Sequence, residues 1–427
     1  MTGHRQMSTE EMSVSAETAC HVPSLEEFRA KAEHFLASVA PRMETTHGFD
    51  FSEDEDRVTL FRGATEEEAK CACHWQRTVF DAGFGWITGP PEYGGAGLPA
   101  RYERAYREVE RRYRVPSRSP LGVSLGMVAP TLQLFGTEAA KRRWLRALRR
   151  ADVVGCQLFS EPGAGSDLAS VATKADRDPA TGDWIVTGQK VWTSGAHYSD
   201  LGLLLARTSD GGRHRNLTAF LVDMHAPGVE VRPLRQMTGG ADFNEVFLDG
   251  VRVPDENRLG EIDGGWQVAM ATLMYERGAI GGATAGGSGL FRLERIIAWL
   301  HDLGRTGDPA VRQAFARVHI GLTAAKAMRA RAEAAVKAGT TPGPEMSLSK
   351  LALTANLAAL SDLVAVALGP RLLADTGERS TFSWAEFVLG VPGMRIGGGT
   401  DEIQRDIIAH RVLGLPKEPG ARPDKRT

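Results

Sequence analysis

Phe159-Ser160-Glu161-Pro162-Gly163-Ala164-Gly165-Ser166-Asp167 is the stretch that decides how the rest of this 427-residue chain is read. It follows an apolar strand and combines a proline, two glycines and short polar side chains. Such a loop exposes backbone N–H groups and hydroxyls at close range, which suits a flat heterocycle with several acceptors. An ordinary turn has the same composition, and the residues alone leave both readings open.

Working outward, the hydrophobic period changes on both sides of this loop. From Ser24 to about Ala151 the pattern is helical, broken by glycines and prolines between Gly89 and Gly97. Thr137 is placed to cap a helix whose apolar stripe includes Leu145 and Leu148, with Lys141, Arg142, Arg143, Arg146, Arg149 and Arg150 forming its wet side. From Val153 to about Leu259 the period shortens to that of strands. These are expected at Trp184–Val186, Val191–Thr193, Leu201–Ala206, Leu217–Asp223, Val229–Leu234 and Asn244–Val253, with turns at Asp183, 209–212 and 249–250. From Gly264 the chain is helical again, with long segments at 314–337 and 347–368 separated by the breaker Thr340-Thr341-Pro342-Gly343. Asp401 opens the last helix, and Asp401-x-x-Gln404 has the form of a capping box.

The expected fold class is therefore α+β, in five parts. A flexible tail (1–22) precedes an N-terminal helical domain (23–152), a middle antiparallel β-barrel or sandwich (153–262), a C-terminal helical domain (263–415) and a second flexible tail (416–427). A length of 427 residues exceeds one ordinary core, in keeping with several domains.

A net charge of -2 gives no field to attract nucleic acid or acidic lipid. Cys20, Cys71, Cys73 and Cys156 lack the spacing of a disulfide framework or a zinc site, so no metal is expected. The first twenty residues hold three glutamates and no apolar core of a signal peptide. The run 357–368 carries Ser361 and Asp362 and falls short of the roughly 20 residues that span a bilayer. The expectation is a cytoplasmic protein with no membrane span.

The phosphate-binding signature G-x-x-x-x-G-K-[ST] is absent. The glycines of 281–289 neither follow a strand nor open a βαβ unit, so a Rossmann site is unsupported and close helix packing is the better account. Two other segments share the character of the 159–167 loop. Gly188-Gln189-Lys190-Val191-Trp192-Thr193-Ser194-Gly195-Ala196 sets a tryptophan beside hydroxyls in a strand, although core tryptophans are the commoner kind. Gly397-Gly398-Gly399-Thr400 precedes a helix N-terminus, where free N–H groups favour an anion or a carbonyl-rich ring, and a hinge has the same composition.

In order, spacing and content these three segments resemble the acyl-CoA dehydrogenase family over about residues 25 to 416. Supporting stretches are 89–98, 134–138, 244–254 and the tail from Gly399 to Pro416. The resemblance implies an N-terminal helical domain, a middle β-domain and a C-terminal four-helix bundle, with FAD as cofactor. Gln157, Phe159, Ser160, Gly165, Trp192, Ser194, Thr400 and Glu402 would then face the flavin, and Ser166 the substrate's phosphopantetheine or nucleotide. The implied reaction removes an α-proton from an acyl thioester with a carboxylate while the β-hydride passes to the flavin, giving a trans-2-enoyl thioester. Hydrogen bonds to the thioester carbonyl in a dry pocket stabilise the developing enolate, and desolvation raises the base's pKa. The implied partners are an acyl-CoA or carrier-protein thioester, an electron-transfer flavoprotein and further copies of the chain as a dimer or tetramer.

The chain departs from the commonest family pattern in two places. Where many members carry the catalytic Glu, two residues before the Thr of the tail, Gly398 stands here. A smaller group supplies the base from the first C-terminal helix in a Glu-Arg pair. Met274-Tyr275-Glu276-Arg277 matches that arrangement, with Glu276 as base and Arg277 positioning helix or substrate. Leu273, Glu276 and Ile280 share one helical face. The second departure is the absent Arg-x-x-Phe-Gly stretch, replaced by Gly304-Arg305-Thr306-Gly307-Asp308-Pro309. It motivates an assembly with a related subunit. The alternatives are an oxidase of the same fold, a carrier-thioester dehydrogenase, or a non-catalytic partner subunit.

Overall fold

The computed structural model describes residues 22–43, 60, 63–283, 291–337, 343–344, 346–374 and 381–416, without side chains at 277–283, 333, 336–337, 346 and 381–383. The side chains of Arg277 and Ile280, most of the glycine run 281–289, the breaker 340–342, Cys20, and all of the expected tails except Val22 and Pro416 therefore lie outside the described residues.

The first helices are α1 (Leu25–Val39), α2 (Glu66–Asp81), α3 (Ala100–Glu110), α4 (Ala129–Phe135) and α5 (Glu138–Arg150). By compactness, the described residues of 1–43 and 82–115 form one unit, and those of 44–81 and 116–427 another.

In the first unit, α1 begins with a capping box. The Glu27 N–H donates to Ser24 Oγ at 3.2 Å and the Ser24 N–H to Glu27 Oε2 at 2.8 Å. Its buried stripe, Phe28, Ala32 and Leu36, repeats every four residues and meets α3. Phe28 contacts Phe84 and Tyr102 edge-on, and Phe84 stacks on Tyr106 with ring centroids 4.9 Å apart.

In the second unit, Thr137 caps α5 by accepting from the Ala140 N–H at 3.1 Å, as expected. Leu145 and Leu148 are fully buried, whereas Arg142, Arg143 and Arg146 are exposed. Eight strands make one sheet: β1 (Gly155–Leu158), β2 (Lys174–Arg177), β3 (Trp184–Ser194), β4 (Leu201–Arg207), β5 (Leu217–Asp223), β6 (Val229–Leu234), β7 (Phe243–Val253) and β8 (Arg258–Leu259). Their order is β6-β7-β3-β2-β4-β5-β8, with β1 added on β4.

Antiparallel pairing dominates, but β1 and β2 both run parallel to β4. The reason is the decisive loop. β1 ends with Leu158 opposite Leu204, and the chain rejoins β4 with Lys174 opposite Arg207. Residues 159–173 thus leave the sheet and return only three positions further along β4. The two strands expected at 184–186 and 191–193 are one, because register shifts after Val186 and after Lys190 let β3 continue across both irregularities.

The C-terminal helices are α6 (Gly265–Ala283), α7 (Leu293–Asp302), α8 (Pro309–Lys337), α9 (Met346–Leu368), α10 (Thr381–Ile396) and α11 (Asp401–Ile407). α6, α8, α10 and α11 pack around α9. Its Leu357, Leu360, Leu363 and Val364 are buried with Trp299 of α7, Val318 of α8, and Trp384 and Phe387 of α10. The apolar stretch here is longer than the sequence reading allowed. Ser347–Leu373 is the single helical run among the described residues long and apolar enough to cross a membrane; its most apolar 18 residues have a mean hydropathy of 1.9, and half of them are buried in the protein. Asp362 interrupts the run without disturbing the core because it sits on the exposed side of α9.

Candidate functional site

Three pieces of the second unit carry the residues picked out by sequence. The first is the 159–167 loop. Phe159 and Glu161 are buried, Gln157 and Ser160 half-buried, and Gly165, Ser166 and Asp167 exposed. Reciprocal backbone hydrogen bonds between Glu161 and Ala164, at 3.0 and 3.1 Å, close the turn. The Ser160 carbonyl accepts from the Val191 N–H at 2.9 Å, which brings this loop and β3 together.

At that junction lies a pair that sequence reasoning passed over. Lys190 is fully buried, and its Nζ donates to Glu161 Oε1 at 2.7 Å, the Leu205 carbonyl at 2.7 Å and the Phe159 carbonyl at 3.1 Å. Glu161 also accepts from the Ala172 N–H at 2.6 Å and the Thr173 N–H at 3.0 Å. Burial pushes the Lys190 ammonium down to about 8 against the pull of the Glu161 charge. Burial alone would raise the Glu161 carboxyl, but the Lys190 charge and these hydrogen bonds outweigh it and hold the group below its ordinary range. Both are therefore charged at neutral pH. The one available signal was a lysine in an otherwise strand-like run, and a lysine in a strand ordinarily faces water.

The second piece is the end of β3. Trp192 adopts a left-handed φ of 61°, at the register shift after Lys190, and the residue is 60% exposed. It is not a core tryptophan. A left-handed backbone costs a bulky residue roughly 1–2 kcal/mol, and such strain concentrates at ligand sites. Phe243 meets one edge of the indole, with centroids 5.8 Å apart. Next to it, Thr193 Oγ1 is buried with no hydrogen-bond partner among the described residues, and Ser194 is half-buried.

The third piece is C-terminal. Gly398 and Gly399 have φ of 67° and 87°, and the turn they form leads to Thr400. The cap of α11 is Thr400, not Asp401: its hydroxyl accepts from the Ile403 N–H at 3.2 Å. Asp401 instead turns inward to Arg395, Thr354 and Lys350. Gln404 is fully buried and donates to the Gly398 carbonyl at 3.1 Å, bracing the glycine turn from beneath. Glu402 is exposed in the first turn, 3.6 Å from Arg405. The segment 304–309 forms the α7–α8 turn, where Arg305 pairs with Asp308 at 2.8 Å and donates to the Val366 carbonyl.

Glu276 lies on α6, half-buried. Two contacts fix that helix. At its start Gly265 lies so close to β5 that a Cβ there would come within 2.7 Å of Thr218 Cα. One turn before Glu276, Thr272 and Thr131 of α4 share a buried hydrogen bond of 3.0 Å.

A glycine-rich loop with exposed polar groups, a solvent-facing indole held out by backbone strain, and a buried hydroxyl without a partner fit a large flat cofactor with many acceptors. Gln157, Phe159, Ser160, Trp192 and Ser194, which lie on the loop, its preceding strand and the end of β3, are the residues that could hold one. Models of the acyl-CoA dehydrogenase N-terminal, middle and C-terminal domains match residues 24–152, 156–251 and 263–413. Acyl-CoA dehydrogenase IpdE1 of Mycobacterium tuberculosis is 37% identical over 402 residues, covering 92% of this chain and 98% of that protein. Among solved structures, the Tcur3481-Tcur3483 steroid ACAD superposes with a TM-score of 0.74 at 27% identity, over 93% of this chain and 99% of that one. The ChsE4-ChsE5 complex from Mycobacterium tuberculosis does so with a TM-score of 0.66 at 25% identity, over 95% and 100%. The chain belongs to the acyl-CoA dehydrogenase family. Its activity is acyl-CoA dehydrogenation, and its cofactor is FAD.

Proposed function

We propose that Glu276 is the base that takes the α-proton of the acyl thioester. The observation that carries this reading is Gly398. The position where many relatives place a carboxylate is here a glycine in the left-handed region, which disfavours any side chain. Glu276 is half-buried on a helix fixed at both β5 and α4. Bound FAD supplies the acceptor for the β-hydride. Arg277 follows Glu276 directly and serves to orient the helix or substrate, while Ser166 contacts the thioester's carrier arm. Thr400 and Glu402 approach the flavin from the C-terminal helices. The domains run 23–152, 153–262 and 263–415.

The substrate is a bulky acyl-CoA of ring-bearing type, a reading supported by the steroid enzyme among the structural neighbours. Neighbours built from two named chains support assembly with a related subunit or a second copy. The electrons go on to an electron-transfer flavoprotein, and the protein works in the cytoplasm.

The test is anaerobic bleaching of the bound flavin by acyl-CoAs. Glu276→Gln should retain FAD and its visible spectrum yet bleach slower by about 10²–10⁴-fold, the usual worth of a positioned general base. A variant that keeps FAD and bleaches at the parent rate removes Glu276 from the role.

A further inference from the structure

The 159–173 excursion opens a gap in the sheet, and a charged side chain closes it. Leu158 pairs with Leu204 and Lys174 with Arg207, so the Leu205 carbonyl falls between the two parallel strands. Lys190 Nζ reaches across from β3 and donates to that carbonyl at 2.7 Å. Its two remaining protons go to Glu161 Oε1 at 2.7 Å and to the Phe159 carbonyl at 3.1 Å. An ammonium has three donors, and all three are used. Glu161 in turn gathers the N–H groups of Ala172 and Thr173, where the excursion comes back. Both ends of the loop and β3 therefore converge on one ion pair, whose side chains are 0% and 6% exposed.

We infer that the Lys190–Glu161 pair is a clamp that sets the 159–167 loop against the Trp192 bulge, making both residues positioning residues for FAD. Glu161 directly follows Ser160, and Lys190 is two residues before Trp192, so the clamp joins the two segments that hold flavin-facing residues. A buried ion pair is a weak source of net stability, since well-packed apolar residues do as well. What it supplies is directional: five hydrogen bonds of 2.6–3.1 Å fix loop and strand in one register. The Ser160 carbonyl bonded to the Val191 N–H at 2.9 Å lies within the same register. This inference rests on the reading that Ser160 and Trp192 face the flavin.

The test uses full-length protein stripped of FAD and titrated with FAD by fluorescence, with the visible spectrum of the reloaded protein as second readout. The variants are Glu161→Gln, the neutral pair Lys190→Gln with Glu161→Gln, and Trp192→Phe as reference. The second serves should the single change, which leaves Lys190 without its counter-charge, fail to fold. Thermal melting of each stripped protein sets a temperature at which all are folded. There the clamp variants should bind FAD at least about tenfold more weakly, with a displaced flavin spectrum. A merely structural pair would lower melting and leave both readouts alone. FAD affinity within about twofold of the parent and an unmoved spectrum would overturn the clamp. Should Trp192→Phe leave affinity and spectrum unmoved while the clamp variants weaken binding, the reading of Trp192 fails and the clamp acts on FAD through the Ser160 loop alone.

Discussion

Thr354 Oγ1 donates to Asp401 Oδ1 across 2.9 Å, and both side chains are buried. Arg395 Nε reaches the other carboxylate oxygen at 2.9 Å, and Lys350 Nζ lies 3.4 Å away while donating to the Met394 carbonyl at 2.9 Å. One carboxylate thus ties the start of α11 to α9 and to the end of α10. The glycine turn 397–399 spans the short distance between those anchors, so its shape is set from outside itself. The same logic governs the 159–167 loop: glycine gives the backbone its freedom, and a buried carboxylate takes that freedom away.

Asp401→Asn should cost about 3 kcal/mol in unfolding free energy, because Lys350 is left in the interior without its counter-charge. Arg395 is half in water and adds little to that loss. Thr354→Val removes one neutral donor from a carboxylate with other partners and should cost about 1 kcal/mol. Urea unfolding followed by circular dichroism measures both. Equal losses for the two variants would show that the charge contributes nothing beyond a hydrogen bond.

Acid should undo both devices. Burial raises each carboxyl. The opposing contributions of Lys190 at Glu161, and of Arg395, Thr354 and Lys350 at Asp401, win and hold both below their ordinary values of 4.5 and 3.8. A carboxyl depressed in the folded state stabilises it fully above the ordinary value, and that contribution fades as pH falls through the folded one. The melting temperature of the parent should therefore fall steeply below pH 4.5, and Glu161→Gln and Asp401→Asn should each make the fall shallower. Parallel pH profiles for parent and variants would rule out these two groups as the acid-sensitive ones.

Much of this was readable in the sequence because it depends on period and on punctuation. The bounds of β5 and β6, the cap at Thr137 and the helical C-terminal half follow from alternation, turn residues and local hydrogen bonds. Trp192, Gly398 and the 159–167 loop were legible as candidates for the same reason. What escaped depends on contacts between distant residues. Lys190 and Glu161 are 29 positions apart, and Asp401 and Lys350 are 51 apart, so no local pattern shows that either charge is buried. The parallel pairing of β1 escaped because four residues carry too little period to assign. The cap of α11 was misplaced by one residue because Thr and Asp both cap helices well, and only tertiary partners pull Asp401 inward.

The strongest constraint on the base comes from a backbone angle. With φ of 67°, Gly398 holds a conformation that disfavours an L-residue by roughly 1–2 kcal/mol. The neighbouring Gly399 is more restricted still, since a Cβ there would come within 2.6 Å of Gln404 Nε2, which braces the turn. Placing a carboxylate at 398 therefore strains a turn already fixed through Asp401 and Gln404. Gly398→Glu alone should lower stability by roughly 1–2 kcal/mol. Combined with Glu276→Gln it should leave flavin bleaching within about tenfold of the single Gln variant, because a new carboxylate on a strained turn lacks productive geometry. Restoration of bleaching toward the parent rate by Gly398→Glu would mean that the turn yields and that both positions serve one pocket. No restoration, with FAD still bound, leaves α6 as the source of the base.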